Sequence, residues 1–309
     1  MSKTVLVTNH KDQACGVYQY GKRVGHILQK HSNDRLKYVY VECGSKGEYL
    51  KYIGEIQPDI AIHNYLDITM PWFDQECFNR LRLKDCPQGL IVHNVGYSPV
   101  FDFYLHQHPF YPSNDINFNI LRPLFNFDLP EATKEPRPPV IGTFGFGFKV
   151  KECERIVRLV NEQFDEATIR MHLTESKFCP NVQERLDVQE KCRREITKEG
   201  IKIEFSSEFL SDEAVVRFLN GNDLNVFLYK HWPSYNGVSS VIDYALSAQK
   251  PFAVNKSNMF AHVNNLEPSI CVEDHSLKEI MDRGFEPVSH LHKAWQPSKF
   301  ADHINNILG

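Results

Sequence analysis

The chain has 309 residues, which at about 150 per domain is enough for two domains. Hydrophobic residues make up 42% and charged residues 24%, the balance of a globular protein, so wholly disordered and fibrous classes are excluded. A net charge of −4 supplies no basic field for non-specific nucleic-acid binding, and no run approaches the ~20 apolar residues that span a bilayer.

Lys3 to Thr8 is a short β-branched run with Asn9-His10 behind it, the pattern of a buried strand. Helical spacing follows from about Val17 to Leu28, then a strand at Tyr38–Val41 and a helix from Lys46 to Ile56 stopped by Pro58. Strands are expected again at Asp59–His63 and Gly89–His93. Continuous apolar strands alternating with helices indicate a parallel sheet covered on both faces. This half is expected to span residues 1–125. Residues 126–139, with Pro130, Pro136, Pro138 and Pro139, lack donors for a helix or ladder and read as a stiff linker.

A second α/β unit, 140–309, opens with a strand at Val140–Phe144, a Gly/Phe loop and a helix at Cys153–Gln163. Next come a strand at Thr168–Leu173, a charged helix from Glu184 to Glu199 stopped by Gly200, and a strand at Ile201–Phe205. Ser211 is placed to N-cap a further helix. A strand at Leu224–Tyr229, an apolar helix at Val238–Ala248, strands at Pro251–Val254 and Ser269–Val272, and C-terminal helices complete the unit. The fold class is therefore α/β with two doubly wound parallel-sheet domains, and ligands are expected in the cleft at the carboxyl ends of the strands.

Eight cysteines are scattered without a CxxC pair, and Met1 to His10 is too short and polar for a signal-peptide core. Both features fit a cytoplasmic protein with ordinary thiols.

Four loops are candidates for chemistry. Cys15 to Arg23 carries Gly16 and Gly21 directly after the first strand, where free N–H groups at a helix start attract anions. Gly142, Gly145 and Gly147 precede Lys149 and Lys151, the residue set of a phosphate cradle. Asn236-Gly237-Val238-Ser239-Ser240 opens an apolar helix with two hydroxyls. His93 ends a strand, followed by an aromatic loop, Phe101 to Pro112, that suits an acceptor pocket. Each also reads as ordinary packing: a βα turn closed by glycine, a turn filled by phenylalanines, a helix cap by Ser239. His106 and His108 lack a third ligand at workable spacing, so no metal is expected.

The segment Asn236 to Val254 resembles the donor-site helix of the group 1 glycosyltransferases, and Ile141 to Lys151 is similar to that family's glycine-rich turn. Asp223 to Leu228 looks like the strand before the donor helix, while Gly16 and His93 match the family's N-domain glycine loop and strand-ending histidine. The resemblance covers the C-terminal half closely and the N-terminal half loosely. It implies a GT-B architecture, an acceptor-side N-terminal domain and a nucleotide-sugar-binding C-terminal domain. It also implies metal-independent, retaining transfer of a sugar from a nucleotide-diphosphate donor to an acceptor hydroxyl. By this resemblance Gly16, Gly142, Gly145, Gly147, Lys149, Lys151 and Asn236 to Ser240 hold the donor, and His93 and Asp243 are catalytic. Anchored on Pro251, the family's two acidic positions are held by Asn236 and Tyr244, with Asp243 adjacent to the second. A catalytically degenerate nucleotide-binding or scaffold protein is the alternative. No cofactor is implied beyond a UDP- or GDP-sugar co-substrate. Saccharides, lipid-linked glycans and small molecules suit the charge better than DNA as acceptors.

Overall fold

The computed structural model describes residues 2–82, 84–93, 101–130, 137–180, 182–231 and 237–309. In the first half β1 (Lys3–Asn9), α1 (Gly16–Lys30), β2 (Leu36–Glu42), α2 (Lys46–Ile56) and β3 (Ile60–His63) follow the expected order. They continue into α3 (Gln75–Arg82), β4 (Gln88–Val92), β5 (Phe103–His106) and β6 (Asn117–Asn119). All six strands are parallel, in the order β2-β1-β3-β4-β5-β6, with Val5 registered between Tyr38 and Ile60. Strand alternation sends Val5 and Val7 to one face and Leu6 to the other, and all three are fully buried. That two-sided burial is why the strand reads as a continuous apolar run.

The second sheet, also all parallel, has the order β11-β10-β7-β8-β9. Its elements are β7 (Val140–Phe146), a 3₁₀ turn at Lys149–Lys151, α4 (Cys153–Gln163), β8 (Ala167–Thr174) and α5 (Val182–Arg194). After these come β9 (Ile201–Ser206), α6 (Asp212–Asn220), β10 (Leu224–Phe227), α7 (Val241–Ser247) and β11 (Phe252–Val254). A further 3₁₀ turn at Asn258–Phe260 precedes α8 (Leu277–Asp282), α9 (Glu286–Ala294) and α10 (Pro297–Leu308). Ser211 caps α6 as expected, accepting from the Ala214 amide at 3.2 Å.

Several expectations change. The aromatic stretch after residue 101 is not one loop, because Phe103–His106 pairs along β4 as a strand. β7 runs through Phe146, so Gly142 and Gly145 are strand residues rather than loop residues. α5 stops at Arg194, where the Asn161 amide donates to Glu195 O and accepts from Thr197 N, diverting the chain before Gly200. Ser269–Val272 forms only a single bridge, Cys271 to Val254.

The chain divides into two compact units, and residues 295–309 cluster with those up to Pro123 rather than with the second unit. Phe300, Ala301 and Ile304 of α10 are buried in the same core as Val24 and Leu28 of α1, and Tyr38 donates its hydroxyl to Asn305 Oδ1. The described parts of the expected linker, residues 126–130 and 137–139, carry no helix or strand. No helix among the described residues is long and apolar enough to cross a membrane.

Candidate functional site

Each sheet has a point where the chain reverses its direction of growth, and open α/β sheets bind ligands at the carboxyl ends of the strands flanking that point. In the second sheet the chain grows outward from β7 through β8 and β9, then returns to the other side of β7 with β10. The switch therefore lies between β7 and β10. The Lys151 side chain ends there. Its ammonium stands 4.9 Å from the centroid of the Tyr229 ring, just beyond β10, and occupies the space a Cβ on Gly145 would need, 2.1 Å away. Gly145 has φ +138°, a conformation that L side chains rarely adopt, so the backbone itself calls for glycine here. Lys151 is 8% exposed, and among the described residues no carboxylate ion-pairs with it.

The surrounding frame is held by the backbone. Lys230 N–H donates to Val150 O at 2.8 Å, joining the turn after β7 to the segment after β10. The buried Asn255 grips Tyr229 from both sides, accepting from its amide at 3.1 Å and donating to its carbonyl at 2.7 Å. Lys149, by contrast, is half exposed, lies 3.8 Å from Asp187, and has its amide bound to Glu184.

The amides of the glycine-rich turn are already engaged: Gly147 donates to Thr174 O, Phe148 to Phe146 O and Lys151 to Phe148 O. Gly142 lies farther back in β7, where its missing Cβ makes room for the Asn222 amide, itself bound to Asn225 and Arg170. Gly147 leaves space for the stem of Arg185. At both positions the absent Cβ admits a neighbouring side chain.

Of the donor-helix residues, Asn236 lies outside the described residues. Gly237 and Ser240 are partly buried, while Val238 and Ser239 are buried, with the Ser239 amide donating to Met259 O. Ser240, not Ser239, is the N-cap of α7, and it makes no side-chain capping bond. Asp243 is 0% exposed, in the first turn of α7. Tyr244, at the second acidic position of the resemblance, donates its hydroxyl to Asp212 Oδ1 at 2.6 Å.

In the first sheet the switch lies between β1 and β3. Asn9 ends β1, Asn64 follows β3, and His93 follows β4. Asn64 Oδ1 lies 2.6 Å from His93 Nε2, and Asn64 Nδ2 donates to Asn9 Oδ1 and to Val17 O in the first turn of α1. Gly21 permits this approach, since a Cβ there would meet the Asn64 amide at 2.2 Å. On the far side of the ring, Gln107 Nε2 sits 2.6 Å from His93 Nδ1. Burial, and then the charges of Arg122 and His10, lower His93 to about 3. His10, lowered to about 4 by burial against the opposing pull of Asp12 and Glu42, lies on the same edge. Gly16 is exposed at the first position of α1, behind an N-cap Cys15 for which no side-chain capping bond is formed. Segment 94–98, expected to extend the His93 loop, lies outside the described residues. His106 Nε2 pairs with Asn117 Oδ1 while its ring stacks 3.7 Å from Tyr111.

Sequence reasoning missed Asn9, Asn64, Gln107, Tyr229 and Asn255. The usable signal was a polar residue closing or closely following an apolar strand, at Asn9, Asn64 and Asn255. Gln107 has no comparable local mark.

No protein-family profile and no curated protein matches the chain by sequence. Solved structures do match along the whole chain. HepE of Anabaena, in complex with UDP and glucose, superposes with a TM-score of 0.66 at 11% identity, covering 99% of both chains. The lipopolysaccharide outer core galactosyltransferase WaaB gives 0.62 at 11% identity, with 99% of each chain covered. An alpha-glucosyltransferase in complex with UDP gives 0.61 at 12% identity over 100% of each chain. With its two parallel sheets and flanking helices, the chain has the GT-B fold that these proteins share.

Proposed function

We propose that this protein is a glycosyltransferase that moves a sugar from a nucleoside-diphosphate donor to an acceptor hydroxyl. The observation that carries the reading is Lys151, a buried ammonium without an ion-pair partner among the described residues, at the switch point of the second sheet. A cation fixed there meets the charge that builds on a departing diphosphate, without reorganisation at the moment of reaction and without a metal. The fold neighbours add support: HepE was solved with UDP and glucose and with UDP-glucose, and the alpha-glucosyltransferase with UDP, which favours a UDP-sugar over a GDP-sugar as the donor. Retention of configuration follows the group 1 resemblance. Gly237 to Ser240 and Asp243 belong to the donor side, and His93 to the acceptor side. The acceptor is a saccharide, a lipid-linked glycan or a small molecule. A cytoplasmic setting suits eight free thiols.

One observation favours the degenerate reading instead. The residue at the second acidic position, Tyr244, is bound to Asp212, and the neighbouring Asp243 is fully buried. Thermal unfolding with UDP, GDP, ADP, TDP and CMP, followed by a donor-consumption assay, separates the two. A ligand at 100 times its dissociation constant stabilises by about 2.7 kcal/mol. Stabilisation by UDP with turnover of UDP-glucose supports transfer, and stabilisation without turnover of any sugar nucleotide supports a binding module. If no nucleotide stabilises the folded protein, the transferase reading fails and the scaffold alternative stands.

A further inference from the structure

The hydrogen bonds around His93 form a chain whose direction is set by groups that can act only one way. Arg122, fully buried, only donates, and its Nη1 reaches Gln107 O at 2.9 Å and Gln107 Oε1 at 3.4 Å. Val92 O only accepts, and Gln107 Nε2 donates to it at 3.1 Å. Between them these two fix the orientation of the Gln107 amide, so the group facing His93 Nδ1 at 2.6 Å is an N–H donor. On the opposite side Val17 O accepts from Asn64 Nδ2, and the His10 amide donates to Asn9 Oδ1. That fixes Asn64 with its oxygen toward His93 Nε2. Asn9 passes the direction on, donating to Tyr18 O and to the Tyr40 hydroxyl, which in turn donates to Glu42. His93 is therefore left with one arrangement: Nδ1 accepting, Nε2 carrying the proton. A second proton on Nδ1 would face the N–H of Gln107.

We propose that Gln107 is a positioning residue that locks His93 as the neutral Nε2–H tautomer, so that His93 gives its one proton to Asn64 and ties the end of β4 to that of β3 rather than acting as a general acid or base. The groups packed on the ring agree in sign. Arg122 and His10 both disfavour a cationic imidazole, and the Tyr20 ring lies edge-on at 5.7 Å. Arg122 also stands 5.0 Å over the Tyr20 ring, so the positive charge behind Gln107 is itself anchored. The locked tautomer follows from hydrogen-bond geometry alone. Its catalytic consequence rests on the transferase reading.

The test uses the full chain with selectively ¹⁵N-labelled histidine. His93 is assigned by the signal lost in His93→Asn, and long-range ¹H–¹⁵N spectra are followed between about pH 5 and 8. The expected result is a His93 with proton-bearing Nε2 and bare Nδ1, unchanged across that range. A proton on Nδ1, or a titration midpoint near the ordinary histidine value, overturns the proposal whether or not any sugar is transferred. In Gln107→Leu the single tautomer is expected to give way to a mixture. In Gln107→Glu the carboxylate should draw a second proton onto His93 and make it titrate. Should neither variant fold, the wild-type spectra still decide. If the protein turns over a sugar nucleotide, Gln107→Leu is expected to lose roughly tenfold in kcat with KM for the donor unchanged, the low end of the losses seen when a residue that orients another side chain of a site is removed. An equal loss through KM would assign Gln107 to donor binding and overturn the positioning role.

Discussion

Lys151 and Lys149 are two residues apart in sequence and differ in every property that bears on binding an anion. Lys149 is half exposed with a carboxylate nearby, whereas Lys151 is folded back over Gly145 and against the Tyr229 ring. Replacing Lys151 with glutamine is expected to lower kcat with a UDP-sugar by roughly 10²–10³-fold, the scale for removing one preorganised electrostatic donor. Lys149→Gln is expected to change it little. Steady-state kinetics on the pair checks the assignment, and equal losses in both would sink it. Spacing alone leaves the two lysines equivalent, because the distinction arises from β10, which arrives about 80 residues later and brings Tyr229 beneath one of them.

At the scale of the element, α1 illustrates how a helix gives up propensity for fit. Gly21 and Gly25 lie one turn apart on the face that meets the sheet, where Asn64 and the Tyr40 ring take the space of the missing side chains. A Cβ on Gly25 would stand 2.1 Å from the Tyr40 ring. Gly25→Ala is thus expected to destabilise by about 1–3 kcal/mol through overpacking, against the gain that helix propensity alone suggests. Gly54 in α2 is the control. It is exposed with nothing within 4 Å of its Cβ position, so Gly54→Ala is expected to stabilise by roughly 0.5–1 kcal/mol. Urea denaturation of the two variants should move in opposite directions, and a shared direction would mean that packing does not govern α1. Elements with strong periodicity, such as α2 and α4, were legible to the residue. α3, β5 and β6 were not: α3 buries only Cys77, Phe78 and Leu81, and Asn117–Asn119 looks like a turn until β5 supplies its partners.

At the scale of the whole molecule, three histidines held neutral by the fold couple stability to acidity. Burial lowers His63 and His93 to about 3 and His10 to about 4, while in the unfolded chain each takes up a proton near 6.5. Below that pH the unfolded state binds the protons first. Stability is therefore expected to hold above pH 6.5 and to fall as pH drops toward the folded values, by up to about 1.4 kcal/mol per pH unit for each histidine. Thermal scans across that range check this, and a midpoint unchanged down to about pH 5 would contradict it. The last helix tests the division of the chain. Phe300 is fully buried in the core of the first unit, so Phe300→Ala is expected to cost about 3–5 kcal/mol. By the same division, hydrogen exchange should rise in β1, β2 and α1 while β7 and β8 stay protected; the reverse pattern would place the helix with the second unit.

The amino-acid sequence by itself determined the α/β class, the order of most strands and helices, and the regions where chemistry was to be sought. Those properties depend on local apolar runs and turn residues, which act over a few positions. Tertiary structure decided which lysine faces the switch point, why Gly21 and Gly142 are glycines, how His93 is locked and where α10 packs. Each of those depends on partners brought from distant strands, Asn64 to α1, Tyr229 to Lys151, Gln107 to His93, and no local pattern records which strands become neighbours.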